Sequence, residues 1–447
     1  MLFPLRVIRR IHREGFRCIP EAIRFRIALH RQRPFLQTET ALRQAEEDGY
    51  QAFIRRHEAP LSAPFTPTMR LSFLIPTYNT PPELLRALAD SLLHQSCGAW
   101  EACFYDGAST RADTRELLQA LTQEDSRFRV TFGAENRGIA GNTNAALTMA
   151  TGEFVALCDH DDLLAPDAVR CILEAAQDGA DFVYTDEDKV RTDLSEYFQP
   201  HFKPDFNLDL LRSNNYICHF SMFDADLLKK TGLFRPEYDG SQDHDMILRL
   251  TEEAKHVCHI PRILYYWRSH PNSVAADIGA KTYAIDAAKR AVHDHMRDYY
   301  GIEVEVESTR AFPTIFQIKY PINGEPLISI VIPNKDHVED LRRCITSIEK
   351  KSTWKNYEIV VVENNSVEQS IRDYYKELES DPKVKIVTYE GGFNYSRINN
   401  VGVKETKGEY LLFLNNDTEV ISSDWMEQLL MYAQRKEGFP SGGSCRV

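Results

Sequence analysis

Paired cysteines, long apolar runs and an excess of basic charge are all missing from this sequence. Its nine cysteines are scattered over 447 residues with no C-x-x-C. That excludes a zinc knuckle, a redox dithiol and a disulfide scaffold. Cys103 and Cys158 fall in apolar, strand-like runs and read as small core residues, which fits a reducing compartment. No apolar run reaches the ~18 residues that a membrane-spanning helix needs. The first residues, MLFPLRVIRRIHREGF, lack a long apolar stretch and a small-residue cleavage site, so no secretory signal is expected. Net charge is −13, which argues against a general nucleic-acid binder. A nucleotide ligand is not excluded, because a metal neutralises phosphate locally. G-x-G-x-x-G does not follow the first strand pattern and G-x-x-x-x-G-K-[ST] does not occur, so neither the dinucleotide nor the P-loop signature is written.

What remains is ordinary globular composition, 43% hydrophobic and 27% charged. At ~100–200 residues per domain the length predicts two or three domains. Residues 1–34 hold nine arginines against two acids, Glu14 and Glu21. Apolar residues alternate with these arginines at near-helical spacing, so the segment reads as a basic amphipathic helix for an anionic membrane surface. The alternative is a helix packed on its own domain with arginines in solvent. Residues 38–58 read as a second, more acidic helix. Pro60, Pro64 and Pro67 then form a stiff linker.

The chain repeats itself. RLSFLIPTYN (70–79) matches LISIVIPNKD (327–336), and Pro76 and Pro333 lie 257 residues apart. WEACFYDGAS (100–109) matches YEIVVVENNS (357–366), with Asp106 and Glu363 at the same offset. TGEFVALCDHDD (151–162) matches KGEYLLFLNNDT (407–418), with Asp161 and Asp417 offset by 256. Such a period is too long for a solenoid and indicates a duplicated domain. Within the first copy, strands are expected at 71–75, 102–105, 128–132 and 153–158. Helices are expected at 81–94, capped by Thr80 with Pro81 in the first turn, and at 113–122 and 140–150. Apolar strands alternating with helices predict an α/β fold whose mostly parallel sheet is covered on both faces. Ligands bind such sheets beyond the carboxyl ends of the strands.

Polar residues gather at those ends: Pro76-Thr77-Tyr78-Asn79, Asp106-Gly107-Ala108-Ser109 and Asp159-His160-Asp161-Asp162. The last group suits a hard divalent cation, which takes oxygen ligands and substrate phosphates. Its bland alternative is helix capping, with Asp162 at the start of a helix near 165–176. Farther on, Asp243 and Asp245 precede the helical pattern MILRLTEEA. They offer either a general base or simple compensation of the helix dipole.

These motifs resemble the family 2 glycosyltransferases with their GT-A fold, in the tandem form found in O-antigen and other polysaccharide synthesis. The likeness covers 70–300 in full and 327–435 in part. It implies that Pro76, Thr77, Tyr78, Asn79 and Asp106 meet the nucleotide, Gly107 replacing the family's second Asp. It implies that Asn136, Arg137 and Asn142, within ENRGIAGN (135–142), run under the donor. Asp159 falls near the ribose and Asp161 on the metal, Mg or Mn. Asp186, in Thr185-Asp186-Glu187-Asp188, falls beside the donor sugar. Asp243 falls at the general base, with Asp245 supporting the site. His270 would complete the metal shell, against the alternative of a surface histidine. Arg268 would pair donor phosphates, against the alternative of a salt bridge. Asn214–His219 resembles an acceptor-side segment.

The implied domains are a basic helical region and linker (1–69), a catalytic GT-A domain (70–305), a linker (306–326) and a partial second GT-A domain (327–447). The second copy keeps Asn415-Asn416-Asp417 but has no counterpart of Asp243, and GFPSGGSCRV lacks strand or helix patterning. A truncated second copy without transfer is expected. The implied activity is inverting, metal-dependent transfer of a sugar from a nucleoside diphosphate to a glycan or lipid-linked acceptor. Its expected setting is the cytoplasm, peripheral at the inner face of the plasma membrane, with no nucleic-acid partner. The competing functions are a non-catalytic nucleotide- or glycan-binding scaffold and a nucleotidyltransferase. The second would want a basic, glycine-rich phosphate loop where PTYNTPP stands.

Overall fold

The computed structural model describes residues 49–54, 61, 63–269 and 282–435. The basic segment 1–34, His270 and the stretch from 436 onward lie outside the described residues. Of the helix expected over 38–58, residues 49–54 are helical, and Ile54 is buried in the core of the first repeat.

The first repeat opens with β1 (Leu71–Thr77), α1 (Pro82–Leu93), β2 (Trp100–Asp106), α2 (Ala112–Glu124), β3 (Phe128–Phe132), α3 (Gly138–Leu147) and β4 (Phe154–Leu157). Both faces of β1 are buried, as a central parallel strand requires. Leu84, Leu85, Leu88 and Leu92 recur at helical spacing in α1 and are all buried. Each contributes about 1.5–3 kcal/mol. Pro81, not Thr80, occupies the N-cap of α1. The fixed φ of the two prolines sets the helix entry without a hydroxyl cap. Thr80 instead accepts, through its carbonyl, from Thr114 Oγ1 at 2.7 Å and ties α1 to α2. The strand order β3-β2-β1-β4 is parallel throughout.

The chain continues through β5 (Leu163–Leu164), α4 (Ala168–Gln177), β6 (Phe182–Arg191), β7 (Tyr197–His201), α5 (Leu208–Ser213), β8 (Ser221–Asp224), α6 (Ala225–Thr231), α7 (Gln242–Glu253), β9 (Val257–Ser269) and α8 (Thr282–Tyr300). Strand β8 lies antiparallel between β4 and β6 and carries the sheet on to β6, β9 and β5, with β7 paired to β6. The parallel part is thus the nucleotide-type half, and the added half is mixed because β8 runs back along β4.

A hairpin of β10 (Glu305–Ser308) and β11 (Phe316–Lys319) leads to the second repeat. That repeat comprises β12 (Ile328–Asn334), α9 (Val338–Lys351), β13 (Tyr357–Glu363), α10 (Gln369–Leu378), β14 (Val384–Thr388), α11 (Tyr395–Val403), β15 (Tyr410–Phe413) and α12 (Trp425–Ala433). Its sheet, β14-β13-β12-β15, has the order and direction of the first four strands. The pairing Ile328↔Tyr357 through Asn334↔Glu363 reproduces Leu71↔Trp100 through Thr77↔Asp106. The shared Gly of TGE and KGE has a steric cause. A Cβ on Gly152 would stand 2.5 Å from the Arg70 carbonyl oxygen, and on Gly408 2.7 Å from that of Leu327.

Candidate active site

The ends of β1 and β2 form a hydrogen-bonded elbow. Asp106 is fully buried; Ser109 donates to its carboxylate through both N–H, at 3.0 Å, and Oγ. Ser109 Oγ accepts from Asn79 N at 2.7 Å, and Asn79 Oδ1 accepts from Thr110 N at 2.8 Å. Asn79 and Ala108 sit at φ +52° and +59°, in the left-handed region. Thr77 is buried with its hydroxyl on the Tyr105 carbonyl, Pro76 is half-buried opposite Tyr105, and Tyr78 is 46% exposed. Asn142 Nδ2 donates to Asn136 Oδ1 at 2.9 Å, and Arg137 N donates to Asn142 Oδ1 at 3.2 Å. A Cβ on Gly107 would lie 2.6 Å from Asn142 Nδ2. Glycine at this position is what lets the 136–142 segment close on the elbow.

Beyond β4 the chain turns through Cys158-Asp159-His160-Asp161-Asp162. Asp162 is not a helix cap, since Asp167 holds that position on α4. Strand β9 claims its carboxylate instead. Oδ2 accepts from Tyr265 Oη at 2.6 Å and Oδ1 from Arg268 N at 2.8 Å. Asp159 meets His219 Nε2 at 3.4 Å, and the His219 ring stacks on Tyr265 with centroids 4.9 Å apart. Asp159, Asp162 and His219 offer ligand atoms that all lie within 4.8 Å of one another. Asp161 stands outside that group, with Oδ1 3.7 Å from His160 Nδ1.

Electrostatics single out the same place. Burial pushes the Asp159 carboxyl up; His219 partly relieves it and Asp161 adds to it. Burial, then Asp161 and Asp159, push Asp162 well up. Burial acts to lower His219, but Cys218, Asp159 and Asp162 hold it well above its usual value. A partly buried cluster with excess negative charge, Asp162 buried and Asp159 and His219 half-buried, favours a proton or a cation. Carboxylates with one imidazole suit a divalent cation such as Mg or Mn.

Asp243 lies in the first turn of α7 and accepts from Asn215 Nδ2 at 2.8 Å. Its negative charge adds slightly to the upward push on the Asp159 carboxyl. Asp245 differs. It is buried and gripped by Arg235 and by Arg249, whose Nη2 lies at 2.8 Å. Its lone pairs are taken, which leaves Asp243 as the carboxylate fit to accept a proton. Asp186 is drawn elsewhere: it accepts from Lys203 N and His259 Nε2, each at 2.9 Å. Its neighbour Glu187 is the one that accepts from His219 N, at 3.2 Å, and from Lys203 Nζ, at 3.3 Å. The Arg268 side chain is buried within electrostatic reach of Asp162 and Asp161.

Sequence reasoning gave no role to His219, Tyr265, Glu187 or Lys203. His219, Tyr265 and Glu187 stood in segments it noticed, but the meeting of His219 with Tyr265 depends on how β8 and β9 join the sheet on either side of β6. An open polar cleft lined by Asn323, Glu325, Glu409 and Gln434 lies at the amino ends of β12 and β15, the end opposite the one where parallel sheets bind ligands.

A family model described as glycosyl transferase family 2 matches residues 72–232 and 329–441, more than half of the chain. The chain belongs to this family, and its architecture is the mixed α/β GT-A fold. It is 38% identical over 370 residues to the uncharacterized protein y4gI of Sinorhizobium fredii, covering 82% of this chain and 40% of that protein. It is 33% identical over 371 residues to the O-antigen biosynthesis protein RfbC of Myxococcus xanthus, covering 82% and 28%. The chain thus spans less than half the length of both relatives. Among solved structures, S. aureus TarS 1-349 in complex with UDP-GlcNAc aligns with TM-score 0.43 and 18% identity, over 52% of this chain and 67% of that one.

Proposed function

We propose that the first repeat is an inverting, metal-dependent glycosyltransferase that moves a sugar from a nucleoside diphosphate onto a glycan or lipid-linked saccharide. One observation carries this reading. The single loop Asn215–His219 touches Asp243 at one end and Asp159 at the other. It joins a carboxylate fit to be a base to a half-buried, cation-seeking cluster beyond the strand ends.

In this reading Asp243 takes the proton of the acceptor hydroxyl. The hydroxyl oxygen bonds to the anomeric carbon on the face opposite the diphosphate. The bond from that carbon to the diphosphate oxygen breaks, so the configuration inverts. Asp159 and His219, with Asp161 or Asp162, would hold a divalent cation, Mg or Mn, which supplies charge stabilisation to the departing diphosphate. Asn79 and Asp106 shape the elbow for the nucleoside, and Arg268 adds positive charge beside the cluster.

The product class follows the relatives' names. RfbC is named for O-antigen biosynthesis. A protein of Pasteurella multocida, 32% identical over 197 residues (44% of this chain, 20% of that protein), is named chondroitin synthase. Cell-surface polysaccharide synthesis is therefore the proposed setting. No helix among the described residues is long and apolar enough to cross a membrane. We place the protein in the cytoplasm, with residues 1–34 resting on the inner face of the plasma membrane.

The test is a screen of nucleoside-diphosphate sugars with Mg²⁺, Mn²⁺ or chelator, scored by nucleoside diphosphate release with and without acceptor. Metal-dependent release stimulated by acceptor is expected. A chain that neither binds nor cleaves any donor overturns the proposal.

A further inference from the structure

We infer that the second repeat acts as a positioning element for the acceptor half of the first, and that Arg435 is the residue through which it does so. The inference rests on the proposed role of Asp243 but concerns how that carboxylate is held.

Helix α5 is the connecting part. It has only six residues, with Asn207 Oδ1 at its N-cap accepting from Leu210 N at 2.9 Å. It leads directly into Asn214 and Asn215, and Asn215 Nδ2 is the donor to Asp243. The Leu211 carbonyl of α5 also meets the Nε2 of His244, the buried residue next to Asp243, at 2.7 Å. The placement of α5 therefore fixes the base from both sides, through its side chain and through the helix turn that carries it.

A helix this short does not hold its own position. What holds α5 comes from both repeats, and they meet at Asp209. From the first repeat, Arg212 Nη1 approaches Asp209 Oδ1 at 3.4 Å, while its Nη2 reaches toward Glu252 at 3.7 Å. From the second repeat, Arg435 Nη2 donates to the same oxygen at 2.7 Å. Arg435 is itself fixed, with its guanidinium 4.4 Å from the ring centroid of Tyr320 and 5.7 Å from that of Tyr432. Its side chain is 7% exposed, while that of Asp209 is 41% exposed, so a sheltered guanidinium meets a carboxylate that solvent partly screens. Met431 of α12 extends the contact. It belongs to the same buried apolar cluster as Leu211 of α5 and as Ile318 and Tyr320, which follow from the hairpin.

The donor elbow is built differently. Asp106 ends β2, and Asn79 and Asp159 stand two residues beyond β1 and β4; the neighbours of these strands are β3, β8 and the helices of the first repeat. Loosening Arg435 should therefore disturb the acceptor step and spare the donor.

The experiment compares the full chain with Arg435→Ala, Arg435→Lys and the exchange pair Asp209→Arg/Arg435→Asp. Arg435→Ala is expected to lower acceptor-dependent kcat about 10-fold, with nucleoside diphosphate affinity within two-fold of the parent. Arg435→Lys and the exchange pair should recover most of the loss. Equal losses in nucleotide binding and transfer, without rescue by the exchange pair, would show a merely structural role and overturn the inference. Hydrogen exchange provides a readout that needs no activity. Residues 208–219 should exchange faster in Arg435→Ala while β1 and β2 do not. Unchanged exchange in 208–219 overturns the inference even if no donor is found, and faster exchange there supports it even if the enzymatic reading fails.

Discussion

The two repeats share an elbow down to single hydrogen bonds, yet what stands beside their fourth strands differs. In the first, Asn79 N donates to Ser109 Oγ; in the second, Asp336 N donates to Ser366 Oγ, both at 2.7 Å. Asn79 Oδ1 accepts from Thr110 N and Arg111 N, as Asp336 Oδ1 does from Val367 N and Glu368 N. Ala108 and Asn365 carry the same positive φ, near 60°. The difference begins at the fourth strand. Beside β4 runs β8, which brings in His219 and leads on to Asp243. On the edge of β15 away from β12, among the described residues, no strand is paired, and Asn415 and Asn416 stand where the first repeat has Asp159 and His160. Asn416 Nδ2 donates to Asn334 Oδ1 at 2.7 Å, so an amide there is used to close the elbow. The repeated sequence encodes the elbow scaffold; in the proposed function, the half that follows it in the first repeat supplies the chemistry.

Three tests press on that contrast with large effects. Asp243→Asn keeps the shape and the Asn215 contact but removes the base, so transfer should fall about 10²–10⁴-fold with donor binding retained. Steady-state kcat against nucleotide Kd checks this; normal turnover removes Asp243 from the mechanism. Next, Asp161→Asn should cut metal-dependent release about 100-fold, while Asp417→Asn at the matching place leaves it unchanged. A metal titration of both variants decides whether the acidic turn works in one repeat only. Third, Leu88→Ala and Ile345→Ala remove matched, fully buried side chains from α1 and α9. Each should cost about 2–5 kcal/mol, measured by denaturant unfolding. If the second repeat is independent of the first, Ile345→Ala will leave the first repeat's transition in place. Met431 in the first repeat's core predicts that it will not.

Local pattern made much of this legible. The offsets between Pro76 and Pro333 and between Asp106 and Glu363 are the offsets of the strand registers themselves, because strands that pair in register carry the same signature at the same spacing. Helix α1 was written in four leucines. What the sequence did not disclose depends on contacts between distant segments. Asp162 reads as a cap until β9 delivers Tyr265 and the Arg268 amide to it. His219 has no role until β8 sets it against Asp159. Asp186 and Glu187 take different partners because successive residues of β6 face opposite sides of the sheet. One faces His259, the other the His219 amide.

The smallest expected effect tests the shared scaffold itself. Glu101 and Glu358 each accept from a serine, Ser72 and Ser329, and from a backbone amide, Thr151 and Lys407. Glu101 has two donors more, the first being Thr151 Oγ1 at 2.9 Å, where the second repeat has Lys407. Arg129 Nη1 reaches it at 3.1 Å, whereas Lys385, in the matching register, turns to Glu405. Burial acts to raise Glu101, but the bonds from Ser72, Thr151 and Arg129 outweigh it and hold the carboxyl below its usual value. A lowered acid binds fewer protons folded than unfolded. Its contribution is therefore full above the unfolded value near ~4.3 and disappears as pH falls through the folded one. Glu101→Gln should cost about 1 kcal/mol at pH 7, since Arg129 is 39% exposed and solvent screens its share. The gap between parent and variant should close on acidification, and Glu358→Gln should cost less at every pH. Unfolding midpoints from pH 7 down to 3 measure all of this. A gap that widens on acidification would mean that Glu101 is held neutral in the fold, and that the two repeats' scaffolds differ in charge as well as in their added halves.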